Sequence, residues 1–351
     1  MCREVGSAVL LAARKGSPEV QTSFQIALFA VAAIVSVFTS GLLIGRLERV
    51  ARRFGLTEAL LGLMAALAAD TPEITSSITA LLHGQRDVGI GVTLGSNVFN
   101  LAALLGIGTL VAGRIHLHRR VILLEGVVAM WIGATTLAVV IGALAPWIGL
   151  VVALLPVVPY LSLSAATPAE RWRVPLPPAL RDWVAESISE EEMEIGPAID
   201  PQRGGARDAY LALGAVLLVI SANVVMVISA THLGTRFHIS PIIVGGVALA
   251  AVTSLPNLVA AIFLGRQNRG SALLSEAMNS NSINSVAGLL VPATLIGLAR
   301  PAGPDTLTAA VYGGLTLLVL GLAYSSTGLR RSHGILVIVA YGVFLAALAS
   351  L

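Results

Sequence analysis

Residues 61–106 have the sequence LGLMAALAADTPEITSSITALLHGQRDVGIGVTLGSNVFNLAALLG, in which two polar motifs interrupt a strongly apolar stretch. The first motif is DTPE at residues 70–73, and the second is GSNVFN at residues 95–100. A carboxylate within an apolar segment is expensive to bury, so such residues are usually functional. Asp70 and Glu73 are therefore the first candidate site residues.

Both motifs recur in the second half of the chain at one constant offset. SLPN at residues 254–257 corresponds to the first motif, and NSNSIN at residues 279–284 corresponds to the second. Pro72 and Pro256 lie 184 positions apart. The pairs that keep this offset are Ser96 and Ser280, Asn97 and Asn281, and Asn100 and Asn284. Two motifs held in one register over this distance indicate an internal duplication.

The composition is that of a membrane protein. The 351 residues are 56% hydrophobic and 12% charged, whereas a soluble domain has about 25% charged residues. Apolar runs have roughly the 20 residues that cross a hydrocarbon core. They predict an all-α membrane protein with ten transmembrane helices, at residues 24–45, 57–82, 88–112, 121–144, 147–165, 208–232, 240–265, 271–298, 306–325 and 333–351. The net charge of +3 resides in loops and gives no indication of nucleic acid as a partner.

A long polar segment follows the fifth predicted span and divides the chain into two halves. The predicted parts are an N-terminal tail (1–23), a first five-span repeat (24–165), a loop (166–207) and a second five-span repeat (208–351). Because five is an odd number, the second repeat enters the membrane from the opposite face. The sequence thus predicts inverted-topology repeats, which in transporters hold their site at the repeat interface near the midplane.

The distribution of arginine predicts the orientation. Loops after even-numbered spans carry Arg86, Arg236 and Arg300. Loops after odd-numbered spans carry Arg46, Arg49, Arg52, Arg53, Arg114, Arg119, Arg120, Arg266, Arg269, Arg330 and Arg331. Cytoplasmic loops are enriched in Lys and Arg, so we expect the Arg-rich loops and the 166–207 loop in the cytoplasm and both termini outside. We expect the membrane to be the inner membrane of a bacterium.

The polar motifs supply ligands for a hard cation. A proline within a span leaves the carbonyl about four residues earlier without its helical partner, which for Pro72 is Ala68. Carboxylate, amide, hydroxyl and freed carbonyl oxygens suit Ca²⁺ or Na⁺. The candidates from the motifs are Asp70, Glu73, Ser96, Asn97, Asn100, Ser280, Asn281 and Asn284. For Asn97 and Asn281, hydrogen bonding between packed helices is a serious alternative.

The quoted stretch resembles the first α-repeat of the Ca²⁺/cation antiporter superfamily, the sodium/calcium exchangers. Residues 256–284 resemble the second α-repeat more weakly, and with the flanking spans the resemblance covers nearly the whole chain. It implies a diamond of cation sites formed by the helices that carry the motifs. It also implies that spans 24–45 and 208–232 slide as a gate over the other eight, that no cofactor is needed and that a monomer suffices.

The chain departs from the family pattern T-S-x-P-E at its ligand positions. Asp70 replaces a hydroxyl of the first copy, and Asn257 occupies the glutamate position of the second. The hydroxyls Thr253 and Ser254 remain, so these residues and Asn257 join the candidates. An asparagine that the family has one turn before the G-S-N serine is Val92 here.

Glu276 stands at the position of the second copy that matches Val92, four residues before Ser280. If its side chain turns inward, the site has three carboxylates, with Asp70 and Glu73. If it points to solvent, two remain. Glu276 is therefore a further candidate ligand, with both orientations open.

We expect a secondary antiporter, not an enzyme, that exchanges Ca²⁺ against Na⁺ or H⁺ by alternating access. The altered second repeat leaves open an Na⁺/H⁺ or K⁺-linked antiporter of the same fold. A non-transporting homologue is another alternative. An intramembrane enzyme with Asp70 and Glu73 as an acid pair is disfavoured, because Asn257 supplies no further acid and the sequence has no evident nucleophile–base pair.

Overall fold

The computed structural model describes residues 18–54, 64, 66–165, 173–195, 204–298 and 303–350. The helices of the first half and the linker are α1 (Pro18–Arg53), α2 (Thr71–Leu82), α3 (Arg86–Ala112), α4 (Arg119–Val140), α5 (Pro146–Ala165) and α6 (Pro178–Ile195). Those of the second half are α7 (Ala206–Arg236), α8 (Pro241–Thr253), α9 (Leu255–Arg266), α10 (Gly270–Ile283, continued by Asn284–Leu290 and Val291–Ile296), α11 (Gly303–Ser326) and α12 (Arg331–Ala349). Helix α1 begins within the predicted tail, most of which lies outside the described residues.

Seven of the described helices are long and apolar enough to cross a membrane, namely α1, α3, α4, α5, α7, α11 and α12. Helices α8 and α9 together make one further candidate span, bent by 46°. Large apolar side chains on these helices face outward, among them Phe38, which is 78% exposed, and Val343, which is 64% exposed. Such outward apolar faces suit a lipid environment. The predicted span 57–82 lies partly outside the described residues, and α10 is more polar than the other spans.

The two halves share their irregular features. The helix that precedes α2 ends at Asp70, where α2 begins. In the second half, α8 is separated from α9 at Ser254, the position that matches Asp70. A proline lies in the first turn of α2 and of α9, where it cannot continue the hydrogen bonding of the preceding helix. The carbonyl of Ala68 accepts a hydrogen bond from Ser40 Oγ of α1 at 3.4 Å. The freed carbonyl therefore has a partner on a neighbouring helix.

Helices α3 and α10 each contain a π-helical segment at matching positions. The segments are Leu101–Ile107, directly after Asn100, and Asn284–Leu290, which begins at the counterpart of Asn100. Helix α3 is the most enclosed candidate span. It packs closely on α8, because a Cβ on Gly95 would lie 2.3 Å from the carbonyl oxygen of Gly246. π-segments occur frequently at functional sites.

A small sheet joins two loops of this otherwise helical structure. Strands β1 (Arg114–His116) and β2 (Gly328–Arg330) pair antiparallel. Both lie in loops that the arginine pattern assigns to one side of the membrane. The loop before α10 reaches the same place, since a Cβ on Gly270 would lie 2.5 Å from the carbonyl oxygen of His116. The sheet was not predictable, because three-residue strands from distant loops leave no period in the sequence.

The linker between the halves contains α6, which packs on the same side. Val184 contacts Leu124 of α4 and Leu163 of α5 in a small apolar cluster. Arg120 at the start of α4 forms an ion pair with Glu186. The Arg-rich loops after α3, α9 and α11 thus gather with the linker helix at one end of the helix bundle.

Candidate cation site

Asp70 and Glu73 lie where a helix begins again after its break. Asp70 is the N-cap of α2 and Glu73 is in the first turn, and both side chains are buried, at 0% and 1% exposure. Ser254 and Asn257 hold the matching places at the start of α9. The positive end of a helix dipole stabilises negative charge, so the α2 terminus favours two carboxylates at this depth.

Glu73 forms hydrogen bonds with side chains of both halves of the chain, and its partner from the first half is Asn100. The Ser254 hydroxyl donates a hydrogen bond to Oε1, and the Asn284 amide donates one to Oε2. Ser254 lies at the break before α9, and Asn284 lies at the start of the π-helical segment of α10. The break before α9 and the π-helical segment of α10 therefore each place a hydrogen-bond donor beside the Glu73 carboxylate.

Asp70 is bonded in the same way through its Oδ1 atom. Ser280 Oγ donates to this atom at 2.6 Å and Asn257 Nδ2 donates at 3.2 Å. The Asn257 amide nitrogen also lies 3.2 Å from Asn100 Oδ1. Residues from α2, α3, α9 and α10 thus converge, as the duplicated motifs predict.

Three buried oxygens around these carboxylates accept no hydrogen bond from any described residue. They are Asp70 Oδ2, Asn257 Oδ1 and Asn284 Oδ1. A buried polar atom without a partner is costly, so each oxygen is available to a water molecule or a cation. A carboxylate oxygen beside two amide oxygens suits a hard cation.

Asn97 and Asn281 tie the two halves together around the site. Asn97 Nδ2 donates to the main-chain carbonyl of Asn281 at 3.2 Å, and Asn281 Nδ2 donates to that of Asn97 at 3.0 Å. This exchange joins α3 to α10 through equivalent residues of the two copies. It agrees with the alternative interpretation of these two asparagines, in which their amides form hydrogen bonds between packed helices.

Comparison with known proteins adds the family. The family model described as sodium/calcium exchanger protein matches residues 24–164 and 209–349, one segment in each half. The chain belongs to the sodium/calcium exchanger protein family. Inner membrane protein YrbG of Escherichia coli (strain K12) is 29% identical over 77% of this chain and 79% of its own length. Human sodium/potassium/calcium exchanger 4 is 29% identical over 37% of this chain and 22% of its own length.

Solved structures agree on the fold. The sodium-calcium exchanger NCX_Mj, soaked with Na⁺ and Sr²⁺, has a TM-score of 0.57 at 20% identity and covers 93% of this chain and 99% of its own. Native YfkE has a TM-score of 0.60 at 15% identity, with both chains fully covered. The protein is thus an integral multi-pass membrane protein of a cation antiporter family, not an enzyme.

In this exchanger-family chain, two predicted ligands bond only their own helices. Ser96 Oγ donates to the carbonyl of Val92 at 2.6 Å, and Thr253 Oγ1 donates to that of Leu249 at 3.0 Å. Both side chains are buried, yet neither hydroxyl donates to a carboxylate. Their lone pairs remain available to a cation.

Glu276 is brought toward the site but does not join its hydrogen-bond network. It is partly buried on α10, one turn before Ser280, and is near enough to Asp70 for their charges to repel. Among the described side chains it has no hydrogen-bond donor. No three acidic, histidine or cysteine side chains within the described ranges form a shared metal-ligand group.

Sequence reasoning missed a polar cluster beside Glu73. Asn223 of α7 is fully buried, and its Oδ1 accepts hydrogen bonds from Ser76 of α2 at 3.0 Å and from Ser36 of α1 at 3.3 Å. We call these three residues the Asn223 cluster. An asparagine inside an apolar span is the signal that could have identified it.

Proposed function

We propose that this chain is a secondary active antiporter that exchanges Ca²⁺ for Na⁺ or H⁺ at the Asp70 and Glu73 carboxylates. The supporting observation is the set of unpartnered buried oxygens on Asp70, Asn257 and Asn284. These atoms surround two carboxylates at the junction of the two halves, and Ca²⁺ takes several oxygen ligands of these kinds.

The proposed ligands are residues of both copies. They are Asp70, Glu73, Asn100, Ser254, Asn257, Ser280 and Asn284, whose side chains form one network. For Asn97 and Asn281 we propose helix pairing instead, because each amide nitrogen donates to the other residue's main chain. Ser96 and Thr253 then contribute through their lone pairs, and Glu276 acts as a neighbour of Asp70.

The proposed architecture has ten spans in two inverted repeats, with α1 and α7 as the moving gate. Asp208 of α7 lies 2.7 Å from Arg46 and 3.7 Å from Arg49 of α1, which couples these two helices at one end. The gathered Arg-rich loops support one cytoplasmic face. On the opposite side, Thr231 near the end of α7 donates to Gln85 in the loop after α2, as expected if the end of α7 and this loop lie at the Arg-poor face.

A second candidate is exchange that includes a further monovalent ion such as K⁺. Asn257 stands where the family has a second glutamate. Its amide oxygen can coordinate a cation but, unlike a carboxylate, adds no negative charge, which suits a monovalent ion. Several relatives are named sodium/potassium/calcium exchangers, although they match only about a third of this chain. This candidate differs from the first in the ion that must be present for flux.

Flux in proteoliposomes tests the proposal. Purified protein in vesicles loaded with Na⁺ should take up Ca²⁺ when external Na⁺ is low, and vesicles loaded with K⁺ or acidified inside should be measured in parallel. Uptake driven by Na⁺ or by a proton gradient supports the proposal, and uptake that needs K⁺ supports the second candidate. Absence of Ca²⁺ flux under every gradient would overturn both.

Two acid-to-amide variants provide the matched comparison. Glu73→Gln keeps the shape of the side chain and removes its charge, so Ca²⁺ uptake should fall at least about tenfold, since hydrogen bonds to a charged group are worth roughly 1.5–3 kcal/mol. Glu186→Gln makes the same change on the exposed surface of α6 and should leave uptake unchanged. Equal uptake in both variants would contradict the assignment of Glu73.

A further inference from the structure

Three arginines meet on the outer face of the small β1–β2 sheet. Arg114 and Arg330 are directly opposite each other in the register of the two strands. Both are exposed, whereas the residue beside each of them in its strand is buried against the helices. The guanidinium of Arg331 packs beside them, because a Cβ on Gly113 would lie 3.4 Å from its Nε atom. We call Arg114, Arg330 and Arg331 the arginine patch.

The arginine patch has no counter-charge among the described residues. The segments 113–119 and 327–333 contain no aspartate or glutamate. Arg120, at the start of α4, has Glu186 as its partner, but no described acid forms an ion pair with a member of the patch. Like charges directly opposite each other destabilise a sheet, so this strand pairing is most stable with an anion bound at the patch.

The patch lies where four candidate membrane spans begin or end, namely α3, α4, α11 and α12. Arg331 begins α12, and Ile335 follows it by one turn on the same helix face. Arg119 and Leu123 have the same relation at the start of α4. Ile335 and Leu123 are 52% and 41% exposed. A cationic side chain at the end of a span, with an exposed apolar side chain one turn deeper, fits the phosphate and the acyl chain of a phospholipid.

Arg119 lies at the edge of the same surface. Its Cζ atom is 5.1 Å from the ring centroid of Tyr324, in the last two turns of α11. The amide of Leu117 donates to the carbonyl of Thr327 at 3.4 Å, which extends the strand pairing toward Arg119 and Tyr324. Tyrosine is enriched at the membrane–water interface, so this contact also indicates headgroup depth.

We propose that the arginine patch binds the headgroup of an anionic phospholipid, and that a headgroup with two phosphates, such as that of cardiolipin, binds most tightly. A guanidinium can donate two parallel hydrogen bonds to a phosphate, and three guanidiniums carry more charge than one phosphate neutralises. Basic pockets between transmembrane helices are known to hold such headgroups. The bound lipid would join the loop after α3 to the loop after α11, away from the cation site.

Lipid binding to the purified protein, measured by native mass spectrometry, tests the proposal. The wild type should bind one cardiolipin at least about tenfold more tightly than phosphatidylcholine, and Arg114→Gln/Arg330→Gln should lose at least about tenfold of that affinity, because charge-assisted hydrogen bonds are lost. Arg86→Gln/Arg236→Gln removes the same charge at the opposite ends of α3 and α7 and should bind cardiolipin like the wild type. If Arg114→Gln/Arg330→Gln does not fold, Arg331→Gln serves as the test variant.

Thermal unfolding in phosphatidylcholine nanodiscs distinguishes a lipid site from a structural role. Without cardiolipin, Arg114→Gln/Arg330→Gln should unfold at the wild-type temperature or above it, because a like-charge pair is removed. Added cardiolipin should raise the unfolding temperature of the wild type but not of this variant. Equal cardiolipin binding by both double variants would overturn the proposal, as would equal binding of cardiolipin and phosphatidylcholine by the wild type. Displacement of cardiolipin by an equal concentration of inorganic phosphate would also overturn it, since the patch would then take a free ion.

Discussion

At the scale of single residues, the asparagines of the duplicated motifs divide into two uses. Asn284 donates to Glu73 and keeps a buried Oδ1 without a described partner. Asn97 Oδ1 is also buried without a described partner, but the amide nitrogen of Asn97 donates to the main chain of Asn281 and to Ser285 Oγ at 2.9 Å rather than to a carboxylate. The same residue type thus serves as a candidate ligand in one position and joins helices in the other.

Two alanine substitutions should separate these uses. Asn284→Ala removes an oxygen from the proposed Ca²⁺ site and a donor from Glu73, so we expect Ca²⁺ affinity to fall at least about tenfold. Asn97→Ala removes interhelical hydrogen bonds, so we expect lower thermal stability, by roughly 1 kcal/mol, with little change in affinity. Calorimetric Ca²⁺ titration and thermal unfolding of each variant in detergent provide the two measurements.

The opposite pattern would contradict the division. If Asn97→Ala weakened Ca²⁺ binding as strongly as Asn284→Ala, both asparagines would have to be ligands. Thr136→Ala is a suitable control, because Thr136 is a buried polar residue of α4 that bonds only the carbonyl of Ile132 in its own helix. It should leave Ca²⁺ affinity unchanged.

The sequence predicted the convergence of these residues but not their bonding. The offset between the copies placed Asp70, Glu73 and Asn257 in one site, because duplicated motifs meet where repeats pack. Whether an amide faces a cation or a neighbouring carbonyl depends on rotations within a helix turn. Asn97 and Asn100 are three positions apart on one helix face, so their spacing could not distinguish the two uses.

At the scale of helices, the Asn223 cluster links the proposed gate to the site. Asn223 connects α7 to Ser36 of α1 and to Ser76 of α2, which lies one turn after Glu73. On the Arg-rich side of the cluster, Leu43 of α1 and Ala215 of α7 form an apolar contact with Ala68, which precedes α2. Sliding of α1 and α7 would have to break the hydrogen bonds of the cluster and open this apolar contact.

Loss of the Asn223 amide should therefore favour opening of the apolar contact. Cys2 is the single cysteine, so a Cys2→Ser background allows Ala215→Cys to report accessibility. In that background, Asn223→Ala should raise maleimide labelling of the Ala215→Cys reporter at least about threefold, since one interhelical hydrogen bond averages roughly 0.6 kcal/mol. The labelling rate in proteoliposomes is the measurement.

Ser221→Ala is the matched control on the same helix. Ser221 is partly exposed and donates only to the carbonyl of Leu217 of α7, so its removal should not change labelling of the reporter. Equal labelling in the Asn223→Ala and Ser221→Ala variants would show that the Asn223 cluster does not hold α7 against the site.

At the scale of the whole molecule, long periodic features were predictable and short contacts were not. Apolar runs predicted α3, α4, α7, α11 and α12 within a few residues, because each needs enough apolar length to cross the membrane. The pairing of Arg114 with Arg330 joins two loops that lie far apart in the sequence. It leaves no signal, because neither strand is long enough to show alternation.

The orientation of the whole molecule remains a prediction, and the fold supplies sites that test it. Loops of the Arg-rich set meet at one end of the bundle with α6, where Glu186 is exposed. Phe237 follows α7 at the other end and is 55% exposed. The arginine bias predicts that α6 faces the cytoplasm and that Phe237 faces outward.

Single cysteines at these two positions should respond differently to a membrane-impermeant maleimide. In a Cys2→Ser background and intact cells, the Phe237→Cys variant should be labelled and the Glu186→Cys variant should be protected. Permeabilised cells should label both, which controls for reactivity. The reverse pattern in intact cells would mean that the Arg-rich end faces outward. Labelling of both variants in intact cells would place α6 and Phe237 on the same face, and the assignment of loops to opposite faces would then be wrong.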